Sequence, residues 1–303
     1  MSRPLSVLLT LAICSILISS CTKKEERGHA KIIGVTLLTR GHVFYKDLEE
    51  GLRIAAAENS YELIVTAGEF DLGKQIAQIE DFVARKVDAI IVCPVDSKGV
   101  GSGIRKANVA KIPVFTAYIA AFEGDVVSHI ASDNELGGKL AGEYLAKVLH
   151  GKGKIAIIDQ PTVTSVLDRV AGFKKELEKF PDITVVADVN GDGVRDRSLQ
   201  VSSDILQAHP DLDGIFGIND DSALGALDAV QQFKRKNVVI IGYDATPPSV
   251  AAILRNTSLN AVVVQYPKKI GSSTISAIKD YFAGYSIEKR YAVEVGIVDR
   301  EAL

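Results

Sequence analysis

Lys31-Ile32-Ile33-Gly34-Val35-Thr36-Leu37-Leu38 is an unbroken β-branched run, and the segment after it carries Leu48, Leu52, Ala55 and Ala56 on one helical stripe. A second apolar run, Leu63–Ala67, follows. A strand that is apolar at every position must be covered on both faces, which is the condition of a parallel sheet packed between helices. Strand, amphipathic helix and strand in that order make a βαβ unit.

The alternation continues to the end of the chain. Further strands are expected at Ala89–Val95, Val114–Ala117, Val126–Ala131, Lys154–Ile158, Thr184–Val189, Gly214–Ile218, Val238–Gly242 and Ala261–Gln265. Further helical stripes run through Ile76, Ile79 and Phe82, and through Leu140, Tyr144, Leu145 and Leu149. The expected class is α/β, doubly wound. Ten strands divide best into two parallel sheets with a first break near Asp133, because that gives two sets of comparable size.

Before the first strand the chain reads differently. Met1-Ser2-Arg3 is a short basic start, Leu5 to Ile18 an apolar run, and Ile18-Ser19-Ser20-Cys21 a small-residue site ending in cysteine. The run is short for a membrane span, so residues 1–20 read as a removed secretory signal. The cysteine after small residues resembles a bacterial lipoprotein signal, which implies acylation of Cys21 and a protein held at a membrane outside the cytoplasm. Residues 21–29 are short and charged and read as a tether. Thr22 is not the aspartate that signals inner-membrane retention in enteric bacteria.

Composition bounds the function. The chain has 303 residues, 47% hydrophobic and 24% charged, with a net charge of −3, so nothing points to nucleic acid as a partner. Cys14 lies in the signal and Cys21 at the lipid site, leaving Cys93 alone in the body. One thiol makes no internal disulfide, so the body depends on its apolar core.

In open parallel sheets, ligands bind outside the carboxyl ends of the strands. Those ends are polar here: Thr39-Arg40-Gly41-His42, Cys93-Pro94-Val95-Asp96, Tyr118, Asp133-Asn134, Asn219-Asp220-Asp221, Tyr243-Asp244 and Gln265. Helix capping accounts for several of the Asp and Asn residues. It does not account for Phe44, Tyr45, Tyr118 and Tyr243 beside them. Polar groups next to flat rings suit a small polyhydroxylated ligand, with hydrogen bonds for its hydroxyls and rings for its C–H faces.

Other motifs are weaker. Gly68 to Lys74 has the spacing of a phosphate-binding loop, but Gln75 stands where a hydroxyl should hold magnesium, and Glu69 and Asp71 would repel phosphate. Gly99-Val100-Gly101-Ser102-Gly103 lacks the full dinucleotide spacing. Asp188, Asn190 and Asp192 match the first half of a calcium loop, but the twelfth position is Leu199 rather than a bidentate Glu, and an ordinary turn explains the pattern as well. His29, His42, His129, His150 and His209 fall in no metal or nucleophile spacing. No cofactor, metal or catalytic residue is expected.

Three stretches resemble the ribose-binding protein family of periplasmic solute receptors. They are Asp125 to Gly142, Asn219 to Leu227, and Gly242-Tyr243-Asp244-Ala245-Thr246-Pro247. The likeness runs in register from about Lys31 to near the C-terminus. It implies two Rossmann-like lobes joined by a three-segment hinge, a type I periplasmic binding protein: residues 30–132 plus 266–293, and 133–265 plus 294–303. Such a monomer closes around a sugar and presents it to an ABC transporter permease, or alternatively to a chemoreceptor or membrane sensor kinase.

The resemblance also implies site residues. Arg169, Asn219, Asp244 and Gln265 stand where the family's ligands to sugar hydroxyls stand, and Phe44, Tyr45 and Tyr243 keep its aromatic character. Read by its place early in a helix, where a cation gains nothing from the helix dipole, Arg169 is a surface residue. The resemblance makes it a ligand. His42 and Cys93 stand where the ribose binders carry asparagine. Tyr118-Ile119 replaces an Asp-Arg pair, and Gly193 falls near an expected aromatic. A hydroxyl buried without a partner costs about 1–3 kcal/mol, so a sugar-like ligand other than simple ribose is expected. A transcription regulator of this fold would begin with a helix-turn-helix rather than a signal. An extracellular enzyme lacks every nucleophile, metal and nucleotide motif.

Overall fold

A computed structural model describes residues 30–303. The signal, the tether and Cys21 lie outside the described residues. The body begins with β1 (Ile32–Leu37), α1 (Val43–Glu58), β2 (Glu62–Ala67), α2 (Leu72–Ala84), β3 (Ala89–Val92), α3 (Gly101–Val109), β4 (Val114–Ala117) and β5 (Ser128–Ser132). A second series follows: α4 (Asn134–Val148), β6 (Lys152–Asp159), α5 (Thr164–Leu177), β7 (Asp182–Asn190), α6 (Arg195–Ala208) and β8 (Gly214–Gly217). It continues through α7 (Asp220–Gln232), β9 (Val239–Asp244), α8 (Pro247–Leu254) and β10 (Leu259–Val264). The chain closes with α9 (Pro267–Phe282), β11 (Arg290–Val293) and β12 (Gly296–Asp299).

The strands form two six-stranded sheets, in the orders β11-β5-β4-β3-β1-β2 and β12-β10-β9-β8-β6-β7. Neighbours are parallel except β12, which runs antiparallel on β10. Every residue of β3, β4 and β8 is buried, as continuous apolar runs covered by helices on both sides require. The expectation of ten strands is corrected to twelve. The two additions are four-residue edge strands; β11 is exposed at three of its four positions and β12 is only half-buried. Neither has the apolar run that marks an interior strand.

The chain passes between the sheets three times: from β5 into α4, from β10 into α9, and between β11 and β12. Each lobe is braced by a helix pair in close contact, α1 with α9 and α4 with α5. Glycine makes both approaches possible. A Cβ on Gly51 would lie 2.2 Å from the Lys268 carbonyl oxygen, and one on Gly138 would lie 1.9 Å from that of Arg169.

Candidate functional site

In each sheet the order of the parallel strands reverses beside the first one, β1 or β6, and the carboxyl ends of both sheets face one another across a cleft. The cleft holds a cavity of ≈ 260 Å³. Of the ten residues expected at the ligand, seven line it: His42, Phe44, Tyr45, Tyr118, Arg169, Asn219 and Asp244. The other three, Cys93, Tyr243 and Gln265, lie behind its wall. The Cys93 thiol is 0% exposed and free, and burial pushes its pKa up. Tyr243 lies beneath the guanidinium of Arg169, 3.6 Å from its ring centroid. Gln265 backs Asp244, donating from Nε2 to Oδ1 at 2.6 Å. Three residues support the site without forming its surface.

Arg169 is fully buried, which corrects the reading from its helix position. Its Nη2 donates to Asn134 Oδ1 at 2.9 Å and to the Tyr118 hydroxyl at 3.1 Å, and Nη1 donates to the Ile218 carbonyl. Burial alone works against its charge. Tyr118, Tyr243 and Asp244 around it more than offset that, and its pKa sits above the usual arginine value. The cation is therefore permanent and fixed in direction.

Two carboxylates lie nearby. Asp220 accepts from Thr246 N at 2.6 Å and Ser249 Oγ at 2.7 Å, while its Oδ1 has no partner. Burial first, and the charge of Asp244 second, push its pKa well up. Burial also raises Asp244, against the pull of His42, Arg169 and Gln265. Asp244 and Ala245 have φ of 111° and 61°, left-handed backbone at the end of β9 where the chain turns its carboxylate toward the cleft.

Asn219 caps α7, its Oδ1 accepting from Ser222 N at 2.8 Å, while Nδ2 donates to the Gly193 carbonyl at 2.9 Å. Capping and lining the cavity are thus one arrangement. His42 does the same for α1: Nδ1 accepts from Phe44 N at 3.1 Å, which leaves Nε2 facing Asp244 at 3.6 Å and Asp221 at 3.8 Å across the cleft. The rings of Phe44, Tyr45 and Tyr118 pack together, with Phe44 and Tyr118 4.1 Å apart. Burial raises the pKa of both tyrosines, so they are neutral hydroxyls.

Sequence reasoning passed over Phe70, Gln160, Ser165 and Asp221 as site residues, although all four line the cavity. Ser165 Oγ, on a residue 2% exposed, has no partner among the described residues. Gly193 has φ 66°, and a Cβ there would lie 2.4 Å from Gln160 Oε1. Gln160 fills the place of the expected aromatic. Only Asp221 carried a signal, as part of a polar strand end.

The lobes touch around the cavity. Ser97 N donates to the Thr162 carbonyl and Thr164 N to Ser97 Oγ, both at 3.0 Å; Ala120 N donates to Thr164 Oγ1 at 2.8 Å. The cleft is closed.

The weaker motifs have local uses. Asp71 caps α2 through Lys74 N, and the buried Gln75 donates to the Cys93 carbonyl and accepts from Val95 N. Asp188 pairs with Lys174, while Asn190 and Asp192 bond each other, as in an ordinary turn.

The periplasmic binding protein domain family matches residues 33–286. The ribose import binding protein of Salmonella typhimurium is 34% identical over 272 residues, 89% of this chain and 90% of its own. A periplasmic solute binding protein of an ABC transporter from Actinobacillus succinogenes, solved with D-allose, has a TM-score of 0.83 at 28% identity, covering 90% of this chain and 98% of that one. A solute binding protein of an ABC transporter from Bacillus halodurans, solved with myo-inositol, has a TM-score of 0.83 at 27% identity, covering 89% of this chain and 95% of that one. With two parallel-sheet lobes closed on a cavity at their strand ends, the chain belongs to the periplasmic binding protein family, among relatives of the ribose import binding proteins.

Proposed function

We propose that this protein is an extracytoplasmic solute-binding lipoprotein that captures a sugar or sugar-like ligand between its lobes and delivers it to an ABC transporter permease. It binds and does not catalyse. The observation that carries the reading is the cavity's donor set: a fixed Arg169, the Asp244 carboxylate and an unpartnered Ser165 hydroxyl opposite a cluster of aromatic rings. Hydroxyls take the first group and C–H faces the second. The relatives with ribose, D-allose and myo-inositol support the same ligand class.

In this reading the lobes are residues 30–132 plus 266–293 and 133–265 plus 294–303, and the protein works as a monomer. His42, Phe44, Tyr45, Tyr118, Arg169, Asn219 and Asp244 contact the ligand, with Cys93, Tyr243 and Gln265 behind them. Cys21 anchors the chain to a bacterial membrane at the periplasm or cell surface. The ligand stabilises the closed state only by the extra contacts it gains there.

A thermal-shift screen against pentoses, hexoses, deoxy sugars and inositols tests this. A ligand at 100 times its Kd adds about 2.7 kcal/mol of stability, a shift of a few degrees. The expected result is a hit lost in Asp244→Ala. Silence across the panel overturns the sugar reading.

A further inference from the structure

The cavity is lined by hydrocarbon as well as by charged and polar groups. Its charged groups are the most deeply buried, with Arg169 0% and Asp244 7% exposed, whereas Phe70 at the mouth is 48% exposed. Leu38, Ile119, Val163, Val166 and Val194 also line the cavity, with Ser165 between Val163 and Val166 in the chain. The bonds between Ala120 and Thr164 bring the adjoining Ile119 and Val163 together from opposite lobes. The nearby hydroxyl of Thr39 is already engaged, donating to Glu69 Oε2 at 2.6 Å and accepting from Gly41 N at 2.9 Å. A sugar hydroxyl placed against these side chains, out of reach of Ser165, Gln160 and Asp221, loses water and gains no partner, whereas an apolar group gains by burial.

Phe70 is held there against backbone preference. Glu69 and Phe70 take successive left-handed φ values of 54° and 63°, which side chains other than glycine and asparagine rarely adopt. The Glu69 carboxylate fixes the turn, accepting from Thr39 Oγ1 and from Arg40 N at 3.1 Å. Strain kept by a dedicated tie, and ending in a half-exposed ring over a ligand cavity, marks a contact surface.

We infer that the outer half of the cavity is a subsite for an apolar substituent, and that the ligand class is a sugar bearing a small alkyl or aryl group, as in a glycoside. The inference rests on the sugar-binding reading above. The hydroxyls go to Arg169 and Asp244, and the substituent goes between Phe70 and the Ile119, Val163 and Val194 side chains.

Calorimetry on the intact protein tests it, with D-ribose and D-galactose each compared with its methyl and phenyl β-glycosides. For at least one sugar, a glycoside is expected to bind tenfold or more tightly than its parent. Phe70→Ala should reduce that ratio at least threefold, and Ile119→Thr, from the wall beside it, should reduce it likewise. Free sugars that bind as tightly as all their glycosides would overturn the subsite while leaving the sugar reading intact. A ratio unmoved by both substitutions would also overturn it. Binding of neither free sugars nor glycosides would remove the sugar reading itself.

Discussion

The two walls of the cleft are built on different principles. The wall of the second lobe holds Arg169, Asp244 and Asn219, each tied by hydrogen bonds to residues behind it. The wall of the first lobe holds the packed rings of Phe44, Tyr45 and Tyr118, and its polar groups are largely occupied locally. Preorganised charge reads hydroxyl positions at little cost in reorganisation, whereas rings read shape and tolerate change. In the proposed function, specificity for hydroxyl pattern belongs to one lobe, and closure lays a shaped apolar surface over it.

Arg169→Ala breaks this contrast most severely. It leaves Asn134, the Ile218 carbonyl and Tyr118 without their donor, and the expected loss is about 4 kcal/mol, as for removal of one member of a buried charged network. Urea unfolding measures it, and a loss below about 1 kcal/mol would mean that the polar wall is not held from the guanidinium. Gly138→Ala comes next, at about 3 kcal/mol, because the new Cβ meets the Arg169 carbonyl at 1.9 Å. Its counterpart in the other lobe, Gly271→Ala, meets the Leu48 carbonyl at 2.6 Å and should cost less by the same assay.

The lobes should also answer acid with opposite signs. His129 on β5 faces Thr116 at 2.9 Å and the charge of Arg290; burial first, then that charge, lowers its pKa to about 4. An unfolded histidine takes its proton near about 6.5, so the stability this neutral ring contributes is lost as pH falls from about 6.5 to about 4. The full shift corresponds to about 3 kcal/mol, and partial solvent access to the half-buried ring trims the expectation to about 2 kcal/mol. Asp220 and Asp244 work the other way. Their raised pKa values let the folded pair keep a proton that the unfolded chain releases near about 3.9, so their contribution is greatest in acid and declines as pH rises. Stability against pH for His129→Gln and Asp220→Asn separates the slopes; equal slopes in both variants would dissolve the distinction.

The smallest effect sits where the walls meet. Tyr118→Phe removes the hydroxyl that accepts from Arg169 across the cleft, and the closed state should lose about 1 kcal/mol. Small-angle scattering of the unliganded variant would show a larger mean radius of gyration than the parent. An unchanged radius would mean that this bond does not contribute to closure.

Interior strands such as Ile32–Leu37 were legible because burial on both faces writes itself as an unbroken apolar run. β11 and β12 were not, since a half-exposed edge of four residues has no such constraint. The site divides in the same way. Asp244 and Asn219 announced themselves at strand ends, but nothing local distinguishes a ligand-facing Tyr118 from Tyr243, which lies behind Arg169. Arg169 was misread by its position on α5, because its guanidinium is buried against Tyr243, Tyr118, Asn134 and the Ile218 carbonyl, groups brought from elsewhere in the chain. Phe70 and Gln160 left no signal at all: their places depend on a left-handed turn and on the space over Gly193.

The three passages of the chain between the sheets have a consequence for the order of assembly. During synthesis the ribosome delivers β1 to β5 first, then the whole run from α4 to β10, and only afterwards α9 and β11. The first lobe waits for its own last helix and edge strand until all of its partner but β12 has been made. A fragment ending at Ser132 would leave the β5 edge unpaired and the helix face of α1 uncovered, a sticky intermediate. The lobe that begins first still finishes late, and the molecule matures as one unit despite its two sheets.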